Sequence, residues 1–114
     1  MEETTKVKFS IVGYMYLLNQ KNQIVQELNK LFDEQNSEAI KECTELGLLD
    51  GKGGIKGYKQ PTTEQQEKEM TEIFNNFIKV FQEKGGKSDV EIDLDKYEDK
   101  LSITLSDISK CIIP

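Results

Sequence analysis

In the segment DVEIDLDKYEDK, residues 89–100, an acidic side chain occupies every second position from 89 to 95, and two more acids follow at 98 and 99. In a β-strand, residues two apart point to the same face, so the alternating acids are predicted to line one face. Carboxylates gathered in this way either bind a hard divalent cation or present a negative surface to a basic partner. The acids that we take as candidate site residues are Glu91, Asp93, Asp95, Glu98 and Asp99.

A metal site is the sharper of these two interpretations. Glu91, Asp93 and Asp95 would offer oxygen ligands to Mg²⁺. Glu98 and Lys100 also resemble the acid-x-Lys pattern of metal-dependent nucleases. In those enzymes the pair lies on a strand, whereas here it falls in a predicted turn, and the chain has no Arg to hold DNA phosphates. We therefore predict no catalytic metal and no cofactor.

The glycine-rich segment GKGGIKGYK, residues 51–59, is a second place where the residue types could bind a ligand. Backbone N–H groups, a following helix N-terminus and lysines can together hold a phosphate. Neither G-x-G-x-x-G nor G-x-x-x-x-G-K-[ST] occurs in the segment. A nucleotide-phosphate binding module, acting as a sponge, is thus the alternative function. Its candidate residues are Lys52, Gly53, Gly54, Lys56 and Lys59.

Missing residue types narrow the functional classes. The 114-residue chain contains no His and no Arg, so all 15 of its cations are Lys. Without His, the Ser-His and Cys-His nucleophile arrangements are excluded. Without Arg, no side chain can hold a phosphate or a guanine with two parallel hydrogen bonds. The net charge of −6 repels nucleic-acid backbones. We predict that the protein is not an enzyme and does not bind nucleic acid directly.

Cysteine usage and the N-terminus predict a cytoplasmic protein. Cys43 and Cys111 are far apart and lack the spacing of a metal site, so both are predicted to be free thiols. No run of apolar residues is long enough to span a membrane. The start MEETTKVK lacks the basic-then-apolar order of a signal peptide.

The first element is predicted as a strand over residues 6–18, KVKFSIVGYMYLL. Strand alternation would place Tyr14 and Tyr16 on the same outward face as Lys8, with a bulge or a close neighbour at Gly13. A helix is the competing interpretation, because several apolar residues also recur three or four positions apart.

Three helices are predicted to follow. The first is capped by Asn22, and the second runs from a Ser37 cap to a stop at Gly47. The third begins at a capping box of Thr63 with Gln66 and ends at the two glycines 85–86. Its apolar stripe, with helical spacing, consists of Met70, Ile73, Phe74, Phe77, Ile78 and Phe81.

The last third of the chain predicts a β-hairpin. Apolar residues alternate through 90–94 and again through 101–105, with a connection over 96–99. This register would set Val90 opposite Leu105. The apolar tail CIIP is predicted to extend or cover the sheet. Three helices before a hairpin also fit a winged helix, but an acidic wing without Arg makes a DNA contact improbable.

These elements predict an α+β fold for a single domain, residues 1–114. The order β-α-α-α-β-β gives a small, mostly antiparallel sheet with helices packed on one face. An exposed first strand could pair with a second copy, so a homodimer stays open.

The open sheet face would combine the acids with Tyr14 and Tyr16, whose rings add rigid contact area. We predict a non-catalytic binding or inhibitor protein. Its acidic face would occupy a basic, nucleic-acid-binding site on a protein partner. The chain is small and acidic, and its frequent Lys, Asn, Ile and Glu residues are typical of AT-rich genomes. In these respects it resembles the inhibitors carried by phages and mobile elements, including anti-CRISPR proteins. The resemblance is one of class and not of motif; it implies action in a host cytoplasm.

Overall fold

An antiparallel sheet of three strands is formed by the part of the chain that the structure describes. The computed structural model describes residues 6–93 and 105–113; the side chains of residues 30–35, 105 and 108 are not described. The strands are β1 (Lys6–Ser10), β2 (Asp89–Asp93) and β3 (Ile112–Ile113). Their order is β2-β1-β3, so β1 is central. The predicted α+β class is confirmed.

Helices supply most of the remaining described residues. They are α1 (Ile11–Gln20), α2 (Ile24–Glu45), α3 (Glu64–Glu83) and α4 (Leu105–Ser109). The chain order is β1-α1-α2-α3-β2-α4-β3. No helix within residues 6–93 or 105–113 is both long enough and apolar enough to cross a bilayer.

The predicted strand over residues 6–18 is wrong beyond Ser10. The Ser10 hydroxyl accepts a hydrogen bond from the backbone N–H of Gly13 at 3.1 Å, which caps α1 and turns the chain from strand to helix. Gly13 therefore lies in the first helical turn and not in a bulge. Ile11, Tyr14 and Leu18 are fully buried at the helical spacing that the competing interpretation identified.

The two helices predicted over residues 22–47 are one helix. Ser37 lies inside α2 and does not begin a helix, because no Gly or Pro interrupts the chain between residues 23 and 45. Asn22 is not the cap either; it has a φ of 56°. Gln23 takes the N-cap position without a side-chain bond. The first free N–H, that of Ile24, donates instead to the carbonyl of Gly53 in the glycine-rich loop.

Helix α3 confirms its predicted start and end. The Thr63 hydroxyl accepts from the N–H of Gln66 at 3.1 Å, although the Gln66 side chain reaches back to Thr62. At the end, Gly85 has a φ of 93°, and the N–H of Gly86 donates to the carbonyl of Phe81 at 2.9 Å. This is a Schellman motif, in which a glycine with a left-handed backbone conformation allows the N–H groups after the helix to donate to its last carbonyls.

The predicted hairpin partner of β2 is wrong where the structure describes it. Val90 lies opposite Phe9 of β1, and Leu105 begins helix α4. Residues 94–104 of that prediction lie outside the described residues. The tail prediction is confirmed, since Ile112 pairs with Phe9 on the other side of β1.

The core joins one sheet face to the helices. Phe9 and Ile92 are buried on that face and belong to the same hydrophobic cluster as the inner stripes of α1, α2 and α3. The largest fully buried apolar side chains are Phe9, Tyr14, Phe74, Phe77, Phe81, Ile11, Met15, Leu18, Ile24 and Leu28. The opposite face of β1 and β2 is thereby left to carry polar residues.

Candidate binding surfaces

Three carboxylates of β2 share the face that points away from the core. Asp89 and Glu91 are exposed and Asp93 is half-buried. Their strand neighbours on the other face are Val90 and Ile92, which pack towards the core. Side chains two apart on a strand lie about 6.5 Å from one another, so the three acids form a short negative row. We call Asp89, Glu91 and Asp93 the β2 acidic row.

Lysines of the central strand face this row. The register places Lys8 opposite Glu91 and Lys6 opposite Asp93, while Ser10 lies opposite Asp89. Side chains opposite each other in an antiparallel pair have Cβ atoms about 5 Å apart, close enough for opposite charges to attract. The row therefore lies beside two cations of its own chain. The other predicted acids, Asp95, Glu98 and Asp99, lie outside the described residues.

Tyr16 is exposed, as predicted, but on a helix. It is 48 % exposed on α1, and its ring stacks on Phe74 of α3 with centroids 3.9 Å apart and an angle of 32° between the planes. Phe74 is buried, so it holds the tyrosine ring in place. Tyr16 thus offers a rigid aromatic surface, although it belongs to the α1–α3 side and not to the β2 acidic row.

Tyr14, predicted to lie beside Tyr16 on an open sheet face, is instead in the core. It has no exposed surface, and the edge of its ring meets Phe9 with centroids 5.4 Å apart. Burial raises the pKa of the Tyr14 hydroxyl, and the nearby charge of Glu27 raises it further. The hydroxyl has no hydrogen-bond partner among the described residues. Tyr14 is therefore a core residue, because helix α1 points it inwards.

Replacing this buried hydroxyl gives a test of the placement. We expect Tyr14→Phe to raise the free energy of unfolding by about 1 kcal/mol, because an unbonded buried polar group is removed while the ring contacts remain. Tyr16→Phe is the matched control, and an exposed change of this kind should stay within about 0.5 kcal/mol. Urea denaturation measures both. A loss of stability in Tyr14→Phe would show that the hydroxyl has a bonded partner.

The Asp50 carboxylate is bound by backbone N–H groups of the glycine-rich loop. Its Oδ1 accepts hydrogen bonds from the backbone N–H groups of Lys52 at 2.7 Å and Gly54 at 3.1 Å. The N–H of Asp50 in turn donates to the carbonyl of Gly54 at 3.0 Å. These backbone donors are the groups that a phosphate would need. Because a carboxylate occupies the anion position, the loop lends the nucleotide-phosphate alternative no support.

The same loop has a structural task at the start of α2. Gly53 and Gly54 are buried, and a Cβ on Gly53 would lie 3.1 Å from the carbonyl oxygen of Asn22. With a φ of 94°, Gly53 also requires a conformation that other residues rarely adopt. Of the remaining predicted loop residues, Lys52, Lys56 and Lys59 are all exposed. The loop therefore packs over the N-terminus of α2 and has a structural role there.

In the residues that the structure describes, we find neither a metal-binding cluster nor an exposed thiol. Across residues 6–93 and 105–113, no three His, Cys, Asp or Glu side chains gather closely enough to hold a metal ion. Cys43 and Cys111 are buried free thiols. Burial raises the pKa of both, to about 11 for Cys111, so neither forms a thiolate readily.

A groove that the sequence did not predict runs between α3 and the chain at Gly47, Leu48, Ile55 and Lys56, which includes part of the glycine-rich loop. Its volume is about 310 Å³. Apolar side chains form the floor and lower walls, and a cation, a carboxylate and a carboxamide stand at the rim. We call this the α3 groove; it is lined by Gly47, Leu48, Ile55, Lys56, Glu72, Ile73, Asn76 and Phe77. No sequence signal marked the groove, because Ile73, which lines it, was assigned to the apolar stripe of α3 like its neighbours.

Comparison of the chain with protein-family models, with curated proteins and with solved structures gave no match. Function is therefore inferred from the charges, exposure and contacts of this chain's own residues.

Proposed function

We propose that the protein is a non-catalytic, acidic binding protein that occupies a basic, nucleic-acid-binding site on a protein partner. The observation that carries the proposal is the β2 acidic row, whose three carboxylates share one outward face of a strand. A β-strand holds such groups at fixed spacing, so a partner's cations meet a preformed set and little conformational freedom is lost.

The chain's composition supports a basic partner. The net charge of −6 accelerates encounter with a positive surface and disfavours contact with nucleic acid itself. The lysines opposite the row do not prevent binding. An arginine of the partner can hold a carboxylate with two parallel hydrogen bonds, whereas Lys8 offers a single point charge.

The proposal includes no catalytic activity, because of which reactive side chains the chain offers and where they lie. The sequence has no His, and both thiols are buried with raised pKa values. An inhibitor that works by occupancy needs only surface complementarity. We therefore extend the proposal to a cytoplasmic inhibitor, in a host cytoplasm if a phage encodes it, of the same class as anti-CRISPR proteins.

Two matched variants test where binding occurs. Asp89→Asn with Glu91→Gln removes two exposed charges from the row, and Glu64→Gln with Glu67→Gln removes two exposed charges from α3. Affinity capture from native extract, read by mass spectrometry, would use each variant and the wild type as bait. We expect a basic partner to bind the wild type and the α3 variant. The row variant should bind it about tenfold more weakly, and salt should weaken binding steeply. Equal capture by both variants, or indifference to salt, would contradict the proposal.

Lys8 provides the opposite test. Lys8 lies opposite Glu91 in the strand register, so its positive charge weakens the attraction of a partner's cation to this part of the row. We expect Lys8→Gln to tighten binding several-fold, by about 1 kcal/mol or less for a partly exposed pair. Lys79→Gln, an exposed lysine on α3, changes the net charge equally and is the control. Titration of the captured partner by calorimetry measures both. Equal tightening by the two variants would show that net charge alone governs binding.

A further inference from the structure

The α3 groove has an apolar floor of a size suited to one or two side chains. Ile55 and Phe77 are almost fully buried at its base, and the half-buried Leu48 and Ile73 form its walls. Its volume of about 310 Å³ is at the small end of ligand pockets, which span about 300–1,000 Å³. Leu46, which precedes Gly47 of the lining, is a further exposed apolar side chain, 56 % exposed. A single large apolar side chain fits this shape better than a cofactor does.

The groove lining has one acid, Glu72, and one cation, Lys56, and the further charged residues next to it in sequence on α2 and α3 include acids. Glu72 belongs to the lining, and Glu69 lies four residues before Ile73, on the same side of α3. On the other wall, α2 ends at Glu45, just before Gly47, with no basic residue in its last turn. The helix dipole places some negative charge at that end, where the carbonyls of residues 42–44 already accept hydrogen bonds from the N–H groups of residues 46–48. Lys56 is the one cation in the lining, and it fixes which end of an occupant can be positive.

We propose that the α3 groove binds a peptide segment of a partner protein, in which a large apolar side chain is followed by lysine or arginine. The apolar side chain enters between Ile73 and Leu48. The cation is then directed to Glu72 and to the α2 C-terminus, away from Lys56. The inference agrees with the proposed function in requiring a basic partner, and it concerns a surface separate from the β2 acidic row.

A fluorescent peptide tests this directly. The probe is a short Leu-Lys-rich peptide, measured by fluorescence anisotropy at physiological salt. Two control peptides replace Leu by Ser, with the same charge, and Lys by Glu, with the same apolar content. We expect the Leu-Lys peptide to bind at least about tenfold more tightly than either control. Equal binding of the Ser peptide would overturn the inference, because contact would then be electrostatic only.

Exposed positions supply variants that leave the core intact. We expect Glu72→Lys and Leu46→Ser each to weaken peptide binding about tenfold. Glu67→Lys is the control, since Glu67 is exposed on the same helix but outside the groove lining, and its affinity should stay within about twofold. Thermal unfolding of each variant verifies that the fold is retained. Equal losses in Glu72→Lys and Glu67→Lys would overturn the inference.

Amide NMR spectra separate this site from the proposed function. Peptide addition should shift the resonances of Gly47, Leu48 and Asn76 and leave those of Asp89 and Glu91 in place. Shifts confined to β2 would overturn the groove inference while supporting the acidic row. Concentration-dependent dimerisation that Leu46→Ser abolishes would overturn it as well, because a second copy of the chain would then be the occupant.

Discussion

Gly86→Ala is expected to destabilise the protein by about 3 kcal/mol, near the upper end of overpacking costs. Gly86 is buried at the last position of the α3 Schellman motif, and a Cβ at this position would overlap the ring of Phe81. Phe81 is fully buried and cannot turn away without displacing its neighbours. The hydrogen bond from the Gly86 N–H to the Phe81 carbonyl also holds the two residues together. Urea denaturation at neutral pH measures the loss.

Gly85 and Phe81 supply the controls for this prediction. In Gly85→Ala the new Cβ lies within 4 Å of no other atom. The residue must keep a φ of 93°, however, which costs about 1–2 kcal/mol for any residue other than glycine. Phe81→Leu makes room for the methyl group. The double variant Phe81→Leu with Gly86→Ala should therefore be more stable than the sum of the single losses predicts, by about 1 kcal/mol or more. Additive losses would mean that the ring does not limit this position.

Local signals identified the start of α3 and the ends of α2 and α3, but not the start of α2, where the predicted cap Asn22 is wrong. Thr63, Gly47 and Gly85 were each identified from the sequence, because capping depends on residues within one helical turn. The region after β1 was harder, since residues 11–18 satisfy strand and helical spacing at once. Ser10 settles that ambiguity by capping the helix with its hydroxyl. The division of α2 failed for a related reason: Ser37 resembles a cap, but no helix-breaking residue precedes it.

Long-range contacts explain why the candidate surfaces were only partly predicted. Strand parity requires Glu91 and Asp93 to share a face, so that feature followed from spacing alone. Their pairing with Lys8 and Lys6 joins opposite ends of the chain, and no local pattern specifies such a register. The α3 groove likewise needs α3 and the segment at Leu48 to meet. The turn made by the Asp50 side chain, by contrast, could have been predicted from local sequence, because an Asp before a run of glycines is typical of a side-chain turn.

Stability should fall at alkaline pH because three buried groups resist ionisation. Burial, and then the charge of Asp107, raises the pKa of the Cys111 thiol from 9.0 to about 11. Burial likewise raises the pKa of Cys43 and of Tyr14. The folded protein therefore keeps these protons at a pH where the unfolded chain has released them. Since the unfolded state then binds fewer protons, the free energy of unfolding decreases as pH rises.

Cys111→Ala isolates one part of this loss. For Cys111 the stabilisation is fully present below pH 9.0 and is lost as pH rises to about 11, a change on the order of 2 kcal/mol. The variant and the wild type have to be compared at each pH, so that only the loss due to Cys111 is measured. We expect urea denaturation under reducing conditions to show the wild type losing about 2 kcal/mol more than Cys111→Ala. Parallel curves would mean that the Cys111 thiol ionises as readily in the folded protein as in the unfolded chain. Helix α4 and strand β3 would then leave that thiol open to water rather than burying it.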